Sequence, residues 1–378
     1  MKLTVKKDDL LKTLNHVQSV VERRNAVPIL SNAKLSADKQ GKLTITTTDM
    51  DMAVRDTLAA TVETAGETTV PAHTLFEIIR KVENNVDVVF SRNKKDNSNI
   101  DLKVGNSEFS LPCLPAEDFP NFEVNEASHS FTINSEVLKT LFAKTRHAIS
   151  NEETRYYLNG VYLHALENEE GLPVIRTVAT DGHRLAKAEA TQPEGADSMP
   201  GIIVPKKAVS EVIKLLEDYV GDVNVGVSTN RITFSFGDVT LHSKLIDGKY
   251  PDYNRVIPKD NDKELIVSRD ALARAIDLVI SVSSDKTRAV RLNISADKIS
   301  VYASSEMNAN AKGEQEIDAK YSANDNVTIG FNSRYVLDSL GAIDGANVRM
   351  KISSGSNAVI AQDEKENNCM YILMPMQV

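Results

Sequence analysis

Three-fold internal repetition constrains this chain more than any other feature. LTVKKDDLLKTL (3–14), FTINSEVLKTL (131–141) and LIVSRDALARAI (265–276) each read as a short β-branched strand, a polar turn and a helix with Leu at helical spacing. Their starts lie 128 and 134 residues apart. Asp8, Ser135 and Ser268 are the expected helix N-caps. A second set keeps the same order. TTVPAHTLFEII (68–79) matches GIIVPKKAVSEVI (201–213) and, more loosely, VTIGFNSRYVLDSL (327–340). LPAEDFPNF (114–122) matches LIDGKYPDY (245–253), and TTDMDMA (47–53) lies 132 residues before ATDGHRLA. Between the helices, KLTITTT (42–48), VDVVFS (86–91), VNVGVS (223–228) and KISVYA (298–303) carry strand patterns. The expected fold class is therefore α+β. It has three tandem repeats, each with two helices on one face of antiparallel sheet and about eight short strands. The expected boundaries are 1–125, 126–256 and 257–378.

Bulk properties narrow the function. With 378 residues, 41% apolar and 26% charged, the chain reads as an ordinary globular protein. Its two cysteines, Cys113 and Cys369, make no disulfide framework and fit a reducing, cytoplasmic setting. MKLTVKKDDLL places charges where a signal peptide needs an apolar run, and no 18-residue apolar stretch exists. The net charge of -9 argues against tight nucleic-acid binding by phosphate neutralisation. Its distribution is uneven. Six helical segments with flanking turns (6–24, 72–83, 134–149, 206–219, 268–291, 332–340) hold 19 basic and 13 acidic residues, the remainder 25 and 40. Either Lys-rich helices serve solubility, or the helices share a mildly basic face that meets a polyanion.

The segment VATDGHRLA (178–186) resembles chemistry, because Asp181, His183 and Arg184 cluster there. A general base needs an orienting partner and a nucleophile or metal within reach. No HxH, HExxH or CxxC accompanies them, and the seven histidines form no metal-spaced set. No catalytic residue, metal or cofactor is expected, and no Walker A loop is present.

YYLNG (156–160), TVATDGHRLA (177–186), GKYPDYNRVIP (248–258) and the terminal MPM (374–376), set on three two-helix repeats, closely resemble the bacterial sliding clamp family. That family is the β subunit of DNA polymerase III holoenzyme, and the resemblance covers the whole chain. It implies a non-enzymatic processivity factor: a head-to-tail homodimer forming a six-domain ring around duplex DNA. Twelve helices ~10 Å wide give a circle of ~38 Å diameter with ~28 Å clear, enough for a duplex, whereas six leave under ~10 Å. The acidic total then fits, since each neutralised phosphate adds friction to sliding. The implied partners are duplex DNA, the polymerase III catalytic subunit, an ATP-driven clamp loader, and other polymerases and repair proteins carrying short clamp-binding peptides. No membrane partner is implied.

By the same resemblance, Thr180, Gly182, His183, Arg184 and Leu185 form one wall of a peptide cleft. Leu158, edged by Arg155 and Tyr157, forms another. Pro251, Arg255 and Val256 come from the link into the third repeat. Ile372, Leu373, Met374, Pro375 and Met376 close the cleft, with Asn332 and Tyr335 at its outer end. Apolar groups there suit Leu or Phe anchors, Arg and His suit polar or C-terminal groups, and methionines suit varied clients. A strand tucked into its own sheet is the alternative role for the tail. Arg24, Tyr156 and Tyr157 match positions near DNA. Their alternatives are compensation of a helix dipole for Arg24 and core packing in a strand for the tyrosines. Phe109, Leu111 and Val282 match dimer-interface positions and equally suit core. Gln377 and Asn254 depart from the basic residues common in the family.

Overall fold

The computed structural model describes residues 1–22, 25–92, 98–121, 126–282, 288–305 and 311–377. Each expected helix forms: α1 (Lys7–Val17), α2 (Ala72–Lys81), α3 (Ser135–Thr145), α4 (Lys206–Leu215), α5 (Arg269–Val279) and α6 (Ser333–Gly341). Each starts at the residue following the last residue of a strand, so the expected intervening turn is absent. Helical spacing explains the faces they bury. In α5 these are Leu272, Ala275, Ile276 and Val279, recurring every three or four residues.

Two of the expected caps differ in the structure. Ser268 does cap α5, accepting the Ala271 N–H at 3.4 Å. Asp8 instead lies inside the first turn of α1, where Lys6 is the capping residue and makes no side-chain cap bond. There its charge still favours the helix dipole, and its Oδ2 accepts the Asn85 N–H at 3.2 Å. Ser135 is the first residue of α3, and its hydroxyl donates to the Tyr219 carbonyl at 3.1 Å. The segment 268–291 is not one helix. After Val279 comes a 3₁₀ turn, Ile280–Val282, and a strand starts at Ala289. The alternating AVRLNI pattern suits that strand, which pairs with Val327–Asn332.

The chain divides into two compact units, residues 1–135 with 211–245, and residues 136–210 with 246–378. The first unit holds a five-stranded and an eight-stranded sheet, the second a twelve-stranded one. All the described pairings are antiparallel, and alternation sets the core: in Lys42–Thr48, Leu43 and Ile45 are fully buried. The units cut across the repeats because successive repeats share sheets. Strand Val239–Lys244 of the second repeat pairs with Met52–Ala59 of the first. Strand Cys369–Leu373 of the third pairs with Arg184–Thr191 of the second. Among the described residues, no helix is long and apolar enough to cross a membrane.

Candidate functional site: a cleft beside the 180–184 hairpin

Residues 180–184 are the turn of a hairpin between strands Pro173–Thr180 and Arg184–Thr191. The first repeat builds the same turn. Thr180 Oγ1 donates to the Arg184 carbonyl at 2.7 Å, as Thr48 Oγ1 does to Met52 at 2.9 Å. Asp181 Oδ1 accepts the N–H groups of His183 and Arg184 at 2.9 and 3.0 Å. Asp49 Oδ1 accepts those of Asp51 and Met52 at 3.0 and 2.7 Å. Gly182 and Met50 both have positive φ, +88° and +78°. Asp181 is thus a turn residue, its other oxygen 3.2 Å from Arg184 Nε. An added Cβ at 182 would lie 2.7 Å from Arg155 Nη1, so the Arg155 side chain would have to shift to admit one.

The two hairpins differ in what docks on them. The N–H of Lys244 donates to the Asp51 carbonyl at 2.8 Å, and that of Met374 donates to the His183 carbonyl at 3.0 Å. In the first unit the side chains then close an ion pair, Lys244 Nζ to Asp51 Oδ1 at 2.9 Å. In the second unit the same place presents a methionine, exposed like Met376, Val256 and Tyr156. Beneath lies one apolar cluster containing Leu158, Val178, Leu185, Ile203, Tyr250, Tyr253 and Ile372, with Tyr157 packed against it. Leu158, Leu185, Ile372 and Leu373 are at most 4% exposed, whereas Met374, Met376 and Val256 are accessible.

The linker wall is held by aromatic stacking. Tyr250 stacks on Tyr162 with centroids 4.8 Å apart and planes 2° apart, and Tyr162 stacks on His164. The Tyr253 hydroxyl accepts from the buried Arg176 Nη1 at 3.1 Å. Pro251, Arg255 and Val256 sit exposed on this linker. Arg255 Nε is 3.1 Å from Asp252 Oδ2, which leaves the Asn254 side chain exposed and outside the cluster.

At the outer end, Asn332 caps α6 by accepting the Arg334 N–H at 3.0 Å. Tyr335 stacks on His183 with centroids 6.3 Å apart, and the Arg184 guanidinium lies 4.4 Å from its ring centroid. The Arg184 side chain is 9% exposed. It donates to Asp338 Oδ2 at 2.6 Å and to the His147 carbonyl. Asp338 and His147 escaped the sequence reading, since 154 residues separate Asp338 from Arg184 and no local pattern links them. The N–H of Met376 donates to the Gly330 carbonyl at 2.9 Å, which ties the tail, through Pro375, to the strand before α6.

Other expected residues fall elsewhere. Tyr156 and Tyr157 lie in a 3₁₀ helix, Glu153–Leu158, rather than in a strand, and Tyr156 is 55% exposed rather than packed in the core. Arg24 lies outside the described residues. Phe109 is exposed on Ser107–Pro112, the edge strand of the five-stranded sheet. Leu111 on the same strand is buried, and Val282 belongs to the other unit.

Burial, reinforced by the charge of Arg184, pushes the His147 imidazole down to about 4. Its unfolded value is 6.5, so the neutral ring contributes stability that is complete above pH 6.5 and is lost as pH falls towards 4. The loss at pH 5 is on the order of 2 kcal/mol for this ring. Thermal unfolding at pH 7.5 and pH 5 checks this: the wild-type protein should lose more stability than a His147→Gln variant, and parallel losses would refute it.

A thrice-repeated α+β chain whose successive repeats share sheets has the fold of the DNA clamps. Three family models match in order: the DNA polymerase III beta subunit N-terminal domain over residues 1–123, its central domain over 132–252 and its C-terminal domain over 254–377. The chain belongs to this family, the bacterial beta sliding clamps. It is 43% identical to the beta sliding clamp of Caulobacter vibrioides and 36% identical to that of Escherichia coli K12, with both chains covered completely in each case. Its structure superposes with a TM-score of 0.95 on the Bartonella birtlesii clamp bound to griselimycin, at 39% identity and full coverage of both chains.

Proposed function

We propose that two copies of this chain join head to tail into a six-domain ring around duplex DNA and act as a processivity factor. The domains of each copy are residues 1–125, 126–256 and 257–378. The ring slides without reading sequence and tethers the replicative polymerase and other replication or repair proteins in the cytoplasm. A separate ATP-driven loader opens it. In this reading the chain performs no chemistry of its own, and the Asp181 oxygens serve the turn, being committed to backbone N–H groups and Arg184.

Client peptides dock in the cleft. One observation carries this reading: of two hairpins with the same turn, the first meets Lys244, which pairs with Asp51, and the second meets exposed Met374, two residues beyond Ile372 of the apolar cluster. Leu or Phe anchors settle among Met374, Met376 and Val256, while Arg155, His183, Arg184 and Tyr335 hold polar groups. Phe109, Leu111 and Val282 serve the dimer interface. Arg24, Tyr156 and Tyr157 approach the DNA.

Retention tests the ring. Loaded on circular DNA the protein should persist, and on linear DNA of the same sequence it should leave by the ends. Equal retention on both, or a monomeric mass at micromolar concentration, would refute encirclement.

A further inference from the structure

Beside the cleft, within the second unit, lies a cavity of about 600 Å³. It shares Arg155, His183, Arg184 and Tyr335 with the cleft wall. Its lining carries five cations, Arg146, Arg155, Arg184, Lys206 and Arg334, against three carboxylates, Glu152, Asp181 and Asp338. All three carboxylates are engaged. Glu152 holds Arg155, and Asp181 and Asp338 both hold Arg184. Among the described residues, Arg146, Lys206 and Arg334 have no carboxylate partner. Lys206 Nζ reaches only the neutral Asn151 Oδ1, at 2.7 Å.

The surplus is local, since the chain as a whole is acidic at -9. A cavity of about 420 Å³ in the first unit has the opposite balance, with Asp9, Asp56, Asp218 and Asp238 against Lys12 beside His16. Lys206 opens α4 and Arg334 lies in the first turn of α6, so two helix N-termini add positive potential to the three unpaired cations. His147, also in the lining, is neutral at pH 7.

We propose that this cavity is an anionic annex of the docking cleft, which takes Asp or Glu side chains flanking the apolar anchors of a client peptide. The inference rests on the peptide-docking reading above. Charge complementarity argues for it, as does continuity: Arg155, His183, Arg184 and Tyr335 border both spaces, so a peptide anchored over Met374 has its flank at the cavity mouth. An acidic flank there gains pairs with cations that, among the described residues, have no carboxylate partner.

Two labelled synthetic peptides test it, with the same Leu-Phe anchors and either Asp-Glu or Asn-Gln flanks. The acidic peptide should bind the full-length protein roughly 5- to 10-fold more tightly at low salt, with the preference fading in high salt. Lys206→Gln with Arg334→Gln should abolish the preference and leave the Asn-Gln peptide's affinity unchanged, which also reports an intact fold. Equal affinities for both peptides in the wild-type protein overturn the annex alone. If neither peptide binds, the docking cleft falls, and the annex with it. A duplex oligonucleotide is the third probe. If the double variant weakens duplex binding but keeps the peptide preference, the cavity belongs to nucleic acid and the proposal fails.

Discussion

Replacing Arg184 by Ala should destabilise the second unit by about 3 kcal/mol and abolish high-affinity peptide binding. The side chain is 9% exposed and holds three groups at once: Asp181, Asp338 and the His147 carbonyl. It also lies over the Tyr335 ring at 4.4 Å. Removing it leaves Asp181, at 15% side-chain exposure, without its cation and frees Tyr335 to turn away from His183. Lysine does not rescue the site, because a point charge cannot reach two carboxylates and a carbonyl in the plane of a guanidinium fork. Denaturant titration and peptide anisotropy on the same preparation give both readouts. A variant as stable as wild type, with undiminished peptide affinity, would show that Arg184 is an idle surface pair. Adding Asp338→Asn to Arg184→Ala should recover part of the stability but not the binding, since the Tyr335 platform is still unsupported.

Truncation of the tail separates sheet from cleft. Ile372 and Leu373 are 1% and 2% exposed. They lie between two strands, Ile372 opposite Leu185 and Ile360, Leu373 opposite Arg184 and Val359. Deleting from Ile372 removes two core side chains and should cost about 5 kcal/mol. Deleting from Met374 removes two half-exposed methionines, Pro375 and the backbone bonds to His183 and Gly330. That shorter truncation should cost about 1–2 kcal/mol of stability and reduce peptide affinity on the order of 100-fold. Melting temperature and peptide affinity, measured for both truncations, decide the point. Unaltered peptide affinity after the shorter cut would remove the methionines from the docking surface.

Strand pairing of the tail ends at Leu373, and the proposed docking role falls to the residues beyond it. The hydrophobic pattern of YILMPM contains no sign of that division, because all its apolar residues look alike until a neighbouring strand buries some of them. The hairpins teach the same lesson. ATDGHRLA and TTDMDMA are recognisable as related turns from their Thr-Asp pairs, and the shared hydrogen bonds follow from local Asx chemistry. That one turn meets a charged side chain and the other an apolar one depends on residues far along the chain, Lys244 in one case and Met374 in the other.

Local order was legible because its causes are local. Apolar spacing of three or four produced α1 to α6, alternation produced the strands, and repetition of both exposed the three-domain architecture. Helix limits were less legible than helix existence, as after Val279, where a 3₁₀ turn, Ile280–Val282, replaces α-helix, and at Ala289, where a strand begins. By itself the sequence determined the family, the six helices and the repeat order. Only the tertiary structure decided which repeats exchange strands, which carboxylate neutralises which guanidinium, and where cations remain unpaired. Those outcomes depend on contacts between residues more than a hundred positions apart, such as Arg184 with Asp338 and with Leu373. Their pairing energy depends on distance and burial, which no one-dimensional spacing encodes.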